Sequence, residues 1–537
     1  MGAVDQQSIC AAFQVTAAAN TDRPALRALR GSLTLTWGEY AQRVESIARG
    51  LWALGVRPGT TVALMLNNRP EFNLVDAAAL HLGAIPFSLG HPATAEQTAY
   101  LISNAEPAVL VTEQALHGAA QDAIAAGERA VQHVLLAEEI ADLEAMAAPG
   151  FDFAATWQAV GAEDIATIVY TSGTTGVPKG VELAHRVIMQ SLRGVEGMAP
   201  VTPGATVLAY LPTAHIAERF WSHYISMAFA LEVVTIPDPA LLEDALLEER
   251  PQRFFGVPRT YEKLAGRAEK LLEGGASDAA VREELGFDRT EWLGVATAPS
   301  SPDVLERFAS VGLPVGDMWG MTEAVMTTMS PPGGTRAGTV GKHFPHVEMR
   351  VADDGELLIR GPNIFSGYRN QPELTRETLD EDGWVHSGDL GSVDDDGYVR
   401  ILGRKKDIMI TSGGKNLAPA AIETALEGAS PLIGYAATIA DGKKFVTALI
   451  ALDPAELRVF AGDGEFAEVA ATPAVVAEVA RAVERANERL SKLEQVKRHR
   501  ILDAPWVPGG DEVTTTLKLR RANIADKYAG DIEALYE

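Results

Sequence analysis

The chain has 537 residues, too many for one compact core, so two or more domains are expected. Its 46 Lys and Arg against 72 Asp and Glu leave a net charge of −26 at pH 7, which argues against nucleic acid as a partner, because gripping a phosphate backbone calls for a basic face. The composition, 47% hydrophobic and 22% charged, is ordinary for a globular protein, and the single cysteine, Cys10, excludes an intrachain disulfide and a zinc cluster of cysteines.

Residues Met1 to Gln6 lack a basic stretch followed by an apolar one, and no run approaches the roughly 20 apolar residues of a membrane span. Gln6 stands where a myristoyl site on Gly2 would want Ser or Thr. With one cysteine, these features point to a cytoplasmic protein. Trp37 to Leu54 has apolar residues at helical spacing and stops at Gly55. Val62-Ala-Leu-Met-Leu66 predicts a short buried strand, Phe72 to Leu82 a helix and Pro107 to Thr112 another strand. This βα rhythm argues for doubly wound sheets with helices on their faces. Ala115 to Ala148, Ala-rich and acidic, reads as surface helix and loop.

Ile165-Ala-Thr-Ile-Val-Tyr170 predicts a buried strand. It runs into Thr171-Ser-Gly-Thr-Thr-Gly-Val-Pro-Lys-Gly180, which packs three glycines, four hydroxyl residues and one lysine into ten positions. Glycines let the backbone approach closely, N–H groups and hydroxyls bond phosphate oxygens, and Lys179 brings positive charge. The Gly-x-x-x-x-Gly-Lys spacing of a Walker A loop is absent. A plain surface turn would explain Gly and Pro but not the dense hydroxyls. The segment resembles the signature loop of the adenylate-forming superfamily, which holds acyl-CoA synthetases, nonribosomal peptide adenylation domains and luciferases. The resemblance implies that Thr171, Ser172, Gly173, Thr174, Thr175, Gly176 and Lys179 handle the β- and γ-phosphates of ATP.

Further segments resemble that superfamily's motifs in order. Tyr210-Leu-Pro-Thr-Ala-His-Ile-Ala-Glu-Arg219 is similar to the motif that shapes the acyl pocket in long-chain and bubblegum-type synthetases, which puts His215 near the carboxylate. On residue type alone a core or capping histidine is an equal reading. Phe255 to Lys263 resembles a second segment of the same branch. Phe220, Trp221, Tyr224, Ile225 and Met227 fit either a pocket for an apolar tail or the core of a helix. Ala296-Thr-Ala-Pro299 resembles the turn along adenine, with Ala298 in contact and Ala296 where relatives more often carry glycine. Trp319-Gly-Met-Thr-Glu323 resembles the next motif: Trp319 and Gly320 beside the purine, Thr322 on phosphate, Glu323 on Mg2+. One carboxylate suffices there, since Mg2+ completes its shell with phosphates and water.

Past residue 340 the texture changes to short strands closed by glycines, Gly355 to Gly361 and Gly397 to Gly403, with Asp394-Asp-Asp-Gly397 as a hairpin turn. His386-Ser-Gly-Asp-Leu390 resembles the motif whose acid, here Asp389, bonds the ribose hydroxyls, and Arg404 resembles the second ribose contact. Lys406 resembles the hinge, where many relatives carry Asp. Beyond it a short helix (Pro419 to Glu427), strands around Ile433 to Ile439 and Phe445 to Leu452, and a long helix through Arg481 to Leu493 predict a small α+β domain. Ser412, Gly413, Gly414 and Lys415 resemble the loop that lines the pantetheine tunnel. Thr514-Thr-Thr-Leu-Lys-Leu-Arg-Arg521 resembles the last motif, in which Lys518 bridges the carboxylate and α-phosphate; Thr515 and Leu517 replace the usual proline and glycine.

The resemblance spans nearly the whole chain. It implies an α/β fold with a large N-terminal domain (1–404) of doubly wound sheets and a small β-barrel-like subdomain, plus a small mobile α+β domain (405–537). It implies an enzyme that uses ATP, Mg2+, CoA and a carboxylic acid: a ligase forming acyl-AMP and then acyl-CoA, with Lys518, Thr322, Glu323 and His215 as catalytic residues. Fatty, aryl and polycyclic acids fit this reading, as does a carrier-protein thiol in place of CoA. A non-catalytic sensor is disfavoured by the retention of Lys179, Glu323, Asp389, Arg404 and Lys518 together. A lipid acid implies transient membrane contact, for which Lys497-Arg-His-Arg500 offers a local basic patch.

Overall fold

The structure, a computed structural model, describes residues 2–31, 33–171, 177–199, 201–331, 333–514 and 518–537. Its larger part is built on three sheets of mainly parallel strands. The first runs Ile85–Ser88, Thr61–Met65, Val109–Thr112, His133–Leu136, all parallel. The second runs Thr34–Thr36, Pro24–Ala28, Glu232–Thr235, Thr206–Ala209, and only its first pair is antiparallel. In the third, Arg253–Gly256, Trp292–Val295 and Val315–Trp319 are parallel, and Thr328–Met329 and Lys342–His343 add antiparallel edges.

Helices cover these sheets for reasons visible in sequence. Trp37–Ala53 starts at a capping box, Thr36 with Glu39, and buries Val44, Ile47 and Leu51 at helical spacing. Pro70–His81 is buried on every face, as expected of a helix between layers. A four-stranded antiparallel half-barrel, Glu348–Val351, Glu356–Arg360, Val385–Val393 and Val399–Arg404, follows. The C-terminal part has its own core around Ile422, Ile450, Val475 and Val479, under the sheet Ile433–Ile439, Val446–Leu452, Val496–Ile501. The fold is thus α/β with a small α+β part at its C-terminal end.

Two expectations need correction. Ala115–Ala148 is not only helix and loop: His133–Leu136 closes the first sheet as an edge strand. Its four half-buried residues are too few for a periodic signal, and pairing with Val109–Thr112 overrides the helical bias of the alanines around it. The long C-terminal helix is Pro473–Arg489, starting eight residues before Arg481 because Pro473 occupies its first turn, and stopping at Leu490 rather than Leu493.

The segment after His215 continues as Ile216–Glu218, a π-helical turn Arg219–Tyr224, and Ile225–Phe229. Phe220, Trp221, Tyr224, Ile225 and Met227 are all buried. The π turn carries a charged network inside the core. Arg219 pairs with Asp76 and donates to Ser88 Oγ and Tyr224 Oη at 3.0 Å, while His223 meets the other Asp76 oxygen at 3.0 Å. Burial pushes the Asp76 carboxyl up, but Arg219 and His223 outweigh it and hold it below its usual range. π turns recur beside functional sites, and this one continues directly from the short helix Ile216–Glu218 that His215 precedes.

Candidate active site

Asp389 and Arg404 are cross-strand partners in the half-barrel. Arg404 Nε lies 2.9 Å from Asp389 Oδ1, and the Trp319 indole N–H donates to Asp389 Oδ2 at 2.9 Å. Trp319 ends a strand of the third sheet, so one carboxylate ties that sheet to the half-barrel. Burial raises the pKa of Asp389 above the usual range, against the pull of Arg404 and Trp319. Each of its oxygens keeps a second lone pair for an incoming hydroxyl.

From Trp319 the chain turns sharply. A side chain on Gly320 would meet the Val325 carbonyl at 2.3 Å, so only glycine lets the turn Thr322–Ala324 fold back. Val325 is held at φ +53° and Thr297, in the turn containing Ala298, at φ +82°; a β-branched residue there is strained. The strain falls one residue past Ala296, the position where glycine is more usual. The turn at Thr322 presents Glu323, whose Oε1 accepts from Tyr368 Oη at 2.6 Å. Lys179 Nζ stands 5.3 Å from the centre of the same Tyr368 ring. Lys179 opens the strand Lys179–Ala184 and is register partner of Thr171, the last residue of Ile165–Thr171, so the two strands pair antiparallel on either side of the Gly- and hydroxyl-rich segment. Ser172, Gly173, Thr174, Thr175 and Gly176 lie outside the described residues.

Lys518 reaches this cluster from the C-terminal part. Its main chain is braced by Thr514, which accepts from Lys518 N at 3.0 Å through its hydroxyl. The ammonium is solvent-accessible yet ringed by protein: crowding and then Arg404 lower its pKa, while Asp389 and Glu323 pull it up. His215 lies close enough for Lys518 to matter to it. Burial first, and Lys518 second, push the His215 pKa down to about 4, so its imidazole is neutral at pH 7. Lys406 sits in the turn Lys405–Asp407, its pKa lowered by burial and by Arg404 and Lys179, while Lys405 is tied to Asp354 at 2.6 Å and Glu356 at 3.0 Å.

The structure therefore gathers Lys179, Trp319, Glu323, Asp389, Arg404, Lys406, Lys518 and His215. It does not add the hairpin tip Ser412, Gly413, Gly414, Lys415. That tip is exposed, and its anchors are elsewhere: Ser412 N donates to the Lys443 carbonyl at 2.9 Å and Ile410 N to Asp441 at 2.9 Å. Among the described residues no group of three His, Cys, Asp or Glu is disposed to hold a metal ion. A divalent ion at Glu323 would have one protein carboxylate and complete its shell with phosphate and water, which suits Mg2+.

Sequence reasoning missed Tyr368. It sits on a two-residue strand, Gly367–Tyr368, paired with Lys179–Ala184, too short to announce itself by periodicity. Tyr368→Phe keeps the ring under Lys179 and frees Glu323 to move. We expect turnover to fall at least about tenfold and the Mg2+ concentration for half-maximal rate to rise, since a hydrogen bond to a charged group is worth about 1.5–3 kcal/mol. An unchanged Mg2+ titration would show that Tyr368 does not orient Glu323.

Residues 13–369 match the AMP-binding enzyme family and residues 406–537 the AMP-binding enzyme C-terminal domain. The putative fatty-acid–CoA ligase fadD11 of Mycobacterium tuberculosis is 40% identical over 433 residues, 72% of this chain and 76% of its own. Long-chain-fatty-acid–CoA ligase FadD15 of the same organism is 31% identical over 559 residues, 94% of this chain and 92% of its own. Among solved structures, ATP-bound MatB from Rhodopseudomonas palustris superposes with a TM-score of 0.76 at 26% identity, covering 98% of this chain and 99% of that one. The adenylation domain of a carboxylate reductase from Mycobacterium chelonae reaches 0.83 at 20% identity, over 99% of this chain and 92% of that one, a likeness of fold.

Proposed function

Since the chain belongs to the AMP-binding enzyme family, we propose that its cleft carries out both halves of an ATP-dependent acid–CoA ligation. The enzyme is an AMP-forming acyl-CoA synthetase, taking ATP, CoA and a fatty or other hydrophobic acid. The observation that carries the assignment of roles is the approach of Lys518 to Asp389 and Glu323.

A carboxylate is a poor electrophile. In the first half-reaction its oxygen attacks the α-phosphorus of ATP, the bond to the bridging oxygen breaks, and pyrophosphate leaves. Negative charge spreads over phosphate oxygens, and fixed donors aimed at it lower the barrier. We assign that role to Lys518, with Lys179 at the pyrophosphate end and Thr322 on phosphate. Asp389 and Arg404 hold the ribose, and Trp319, Gly320 and Ala298 flank the base. His215 is neutral, so it orients the acid without adding charge that would compete with Lys518. Glu323, fixed by Tyr368, would hold Mg2+, which when bound neutralises phosphate charge. In the second half-reaction the CoA sulfur attacks the acyl carbon, the bond to phosphate breaks and AMP leaves. We draw the domain boundary at 404/405 and the hinge at Lys406, about which rotation would withdraw Lys518 and carry in Ser412 to Lys415.

We infer a fatty acid from the two fatty-acid–CoA ligases similar to this chain, and assign its tail to the aromatic cluster that follows His215 in sequence. Trp221 stacks on Phe255 with ring centres 5.4 Å apart and on Trp292 at 4.9 Å. With Val207, Leu208 and Arg253 they leave a cavity of about 10 Å³, about one water's worth. That space, which Glu218 and Ser222 also line, holds no acyl chain, so the aromatic cluster is assigned as the far wall that limits chain length. In a panel of carboxylic acids scored by CoA-dependent AMP formation, saturated fatty acids should dominate, and Trp221→Ala should move the optimum to longer chains. Dominant aryl acids would overturn the fatty-acid reading, and an unmoved optimum would remove Trp221 from the acyl wall.

Among the described residues no helix is long and apolar enough to cross a membrane. We place the enzyme in the cytoplasm, a setting that suits the free, buried Cys10. The basic run gives membrane contact little support, because Arg500 is paired with Asp531 and Arg498 donates to the Leu535 carbonyl.

A further inference from the structure

The segment Phe255–Lys263 resembles a branch motif, yet none of the roles above uses its charged residues. The helix Pro258–Glu273 begins inside it, with Arg259 in the first turn. Arg259 reaches across to the C-terminal part: Nη2 lies 2.6 Å from Asp453 Oδ2, and Nη1 donates to the Ile433 carbonyl at 3.4 Å and to Glu262 at 3.3 Å. The acceptor is pre-set. The other oxygen of Asp453 caps the helix Pro454–Ala461, accepting from Ala455 N at 2.9 Å and Glu456 N at 3.1 Å. One carboxylate thus ends a helix in the small domain and receives a guanidinium from the large one.

Neighbouring contacts lie on the same face. Arg489, last residue of Pro473–Arg489, pairs with Asp303 on the helix Pro302–Ser310. A side chain on Gly428 would meet Ser301 Oγ at 2.6 Å, so the two parts touch closely there. Glu262 and Glu427 are both buried at this interface, close enough to act on one another electrostatically. Burial raises both pKa values, and for Glu427 the charge of Glu262 adds to the rise. Two carboxyls pushed toward their neutral forms leave Asp453 as the charged partner of Arg259 at this interface.

We infer that Arg259 is a positioning residue for the adenylation step: its pairing with Asp453 holds the small domain in the orientation that carries Lys518 to Asp389 and Glu323. The inference rests on the ligase reading. It gives the branch motif a task the acyl pocket does not explain, and it predicts an effect on one half-reaction only.

The test uses the full-length enzyme and separates the halves: acid-dependent exchange of pyrophosphate into ATP for the first, CoA-dependent consumption of supplied acyl-AMP for the second. Arg259→Gln and Asp453→Asn should each slow the first about fivefold, roughly 1 kcal/mol, and leave the second within about twofold. Because both break the same ion pair, the double variant should be no slower than the worse single one. Arg259→Lys keeps the charge, tolerates the site if Gln does not, and should recover part of the exchange rate. Equal losses in both halves, or losses that multiply in the double variant, would overturn the clamp. Wild-type enzyme without acid-dependent exchange would instead overturn the ligase reading on which the clamp rests.

Discussion

Lys518→Ala is expected to lower acid-dependent pyrophosphate exchange about a thousandfold, while acyl-CoA formation from supplied acyl-AMP stays within severalfold of wild type. The magnitude follows from removing a charge-bearing donor aimed at a transition state; deleting one such donor typically costs about 10²–10³ in rate. The asymmetry follows from where Lys518 stands. It belongs to the small domain, in a segment braced through Thr514, and its field touches Asp389, Glu323 and His215 of the large one. The rotation we propose, which would carry Ser412–Lys415 inward, would withdraw it. The same residue predicts a pH signature. Crowding and Arg404 lower the Lys518 pKa, so it loses its proton at a lower pH than a free lysine. Exchange should therefore fall on the alkaline side as pH passes that value, and the thioester half should not follow. Equal loss of both halves would show that Lys518 serves the fold or the nucleotide, not the first chemical step.

Asp389→Ala should act differently, lowering kcat/KM for ATP about a hundredfold and impairing both halves, because the nucleotide is held throughout. Two hydrogen bonds from ribose to a charged acceptor, at about 1.5–3 kcal/mol each, account for an effect of that size. The variant also strips Trp319 of its acceptor and Arg404 of its partner. An orphaned buried indole N–H costs about 1–3 kcal/mol, so the melting temperature should drop as well. Asp389→Asn keeps an acceptor for Trp319 and should separate the effects: near-normal melting with ATP use still weakened. Unchanged ATP dependence in both variants would remove Asp389 from the ribose site.

Much of this was legible in the chain because the motifs are local. The strand before Thr171, the helix after Thr36 and the antiparallel hairpin at Asp394–Gly397 each declare themselves within a dozen residues. What stayed hidden is long-range. Nothing near Asp76 announces a guanidinium 143 positions away, and nothing near Arg259 announces Asp453, 194 positions on. Tyr368 escaped because a two-residue strand has no period. His133–Leu136 escaped because an edge strand is stabilised by its neighbour more than by its own side chains. The resemblance assigns Trp319 to the base and Asp389 to the ribose; the hydrogen bond between them required the fold.

The four cations around the nucleotide site, Lys179, Arg404, Lys406 and Lys518, act on one another electrostatically inside a body that is strongly acidic. ATP is itself polyanionic, so at distance it is repelled, and it is drawn in only within about 8–10 Å of the cleft at physiological ionic strength. Capture is then a short-range event behind a long-range barrier. Added salt flattens the barrier and weakens the grip together, so the encounter quickens as residence shortens, and nucleotide affinity becomes far less sensitive to ionic strength than the number of cations at the site would suggest.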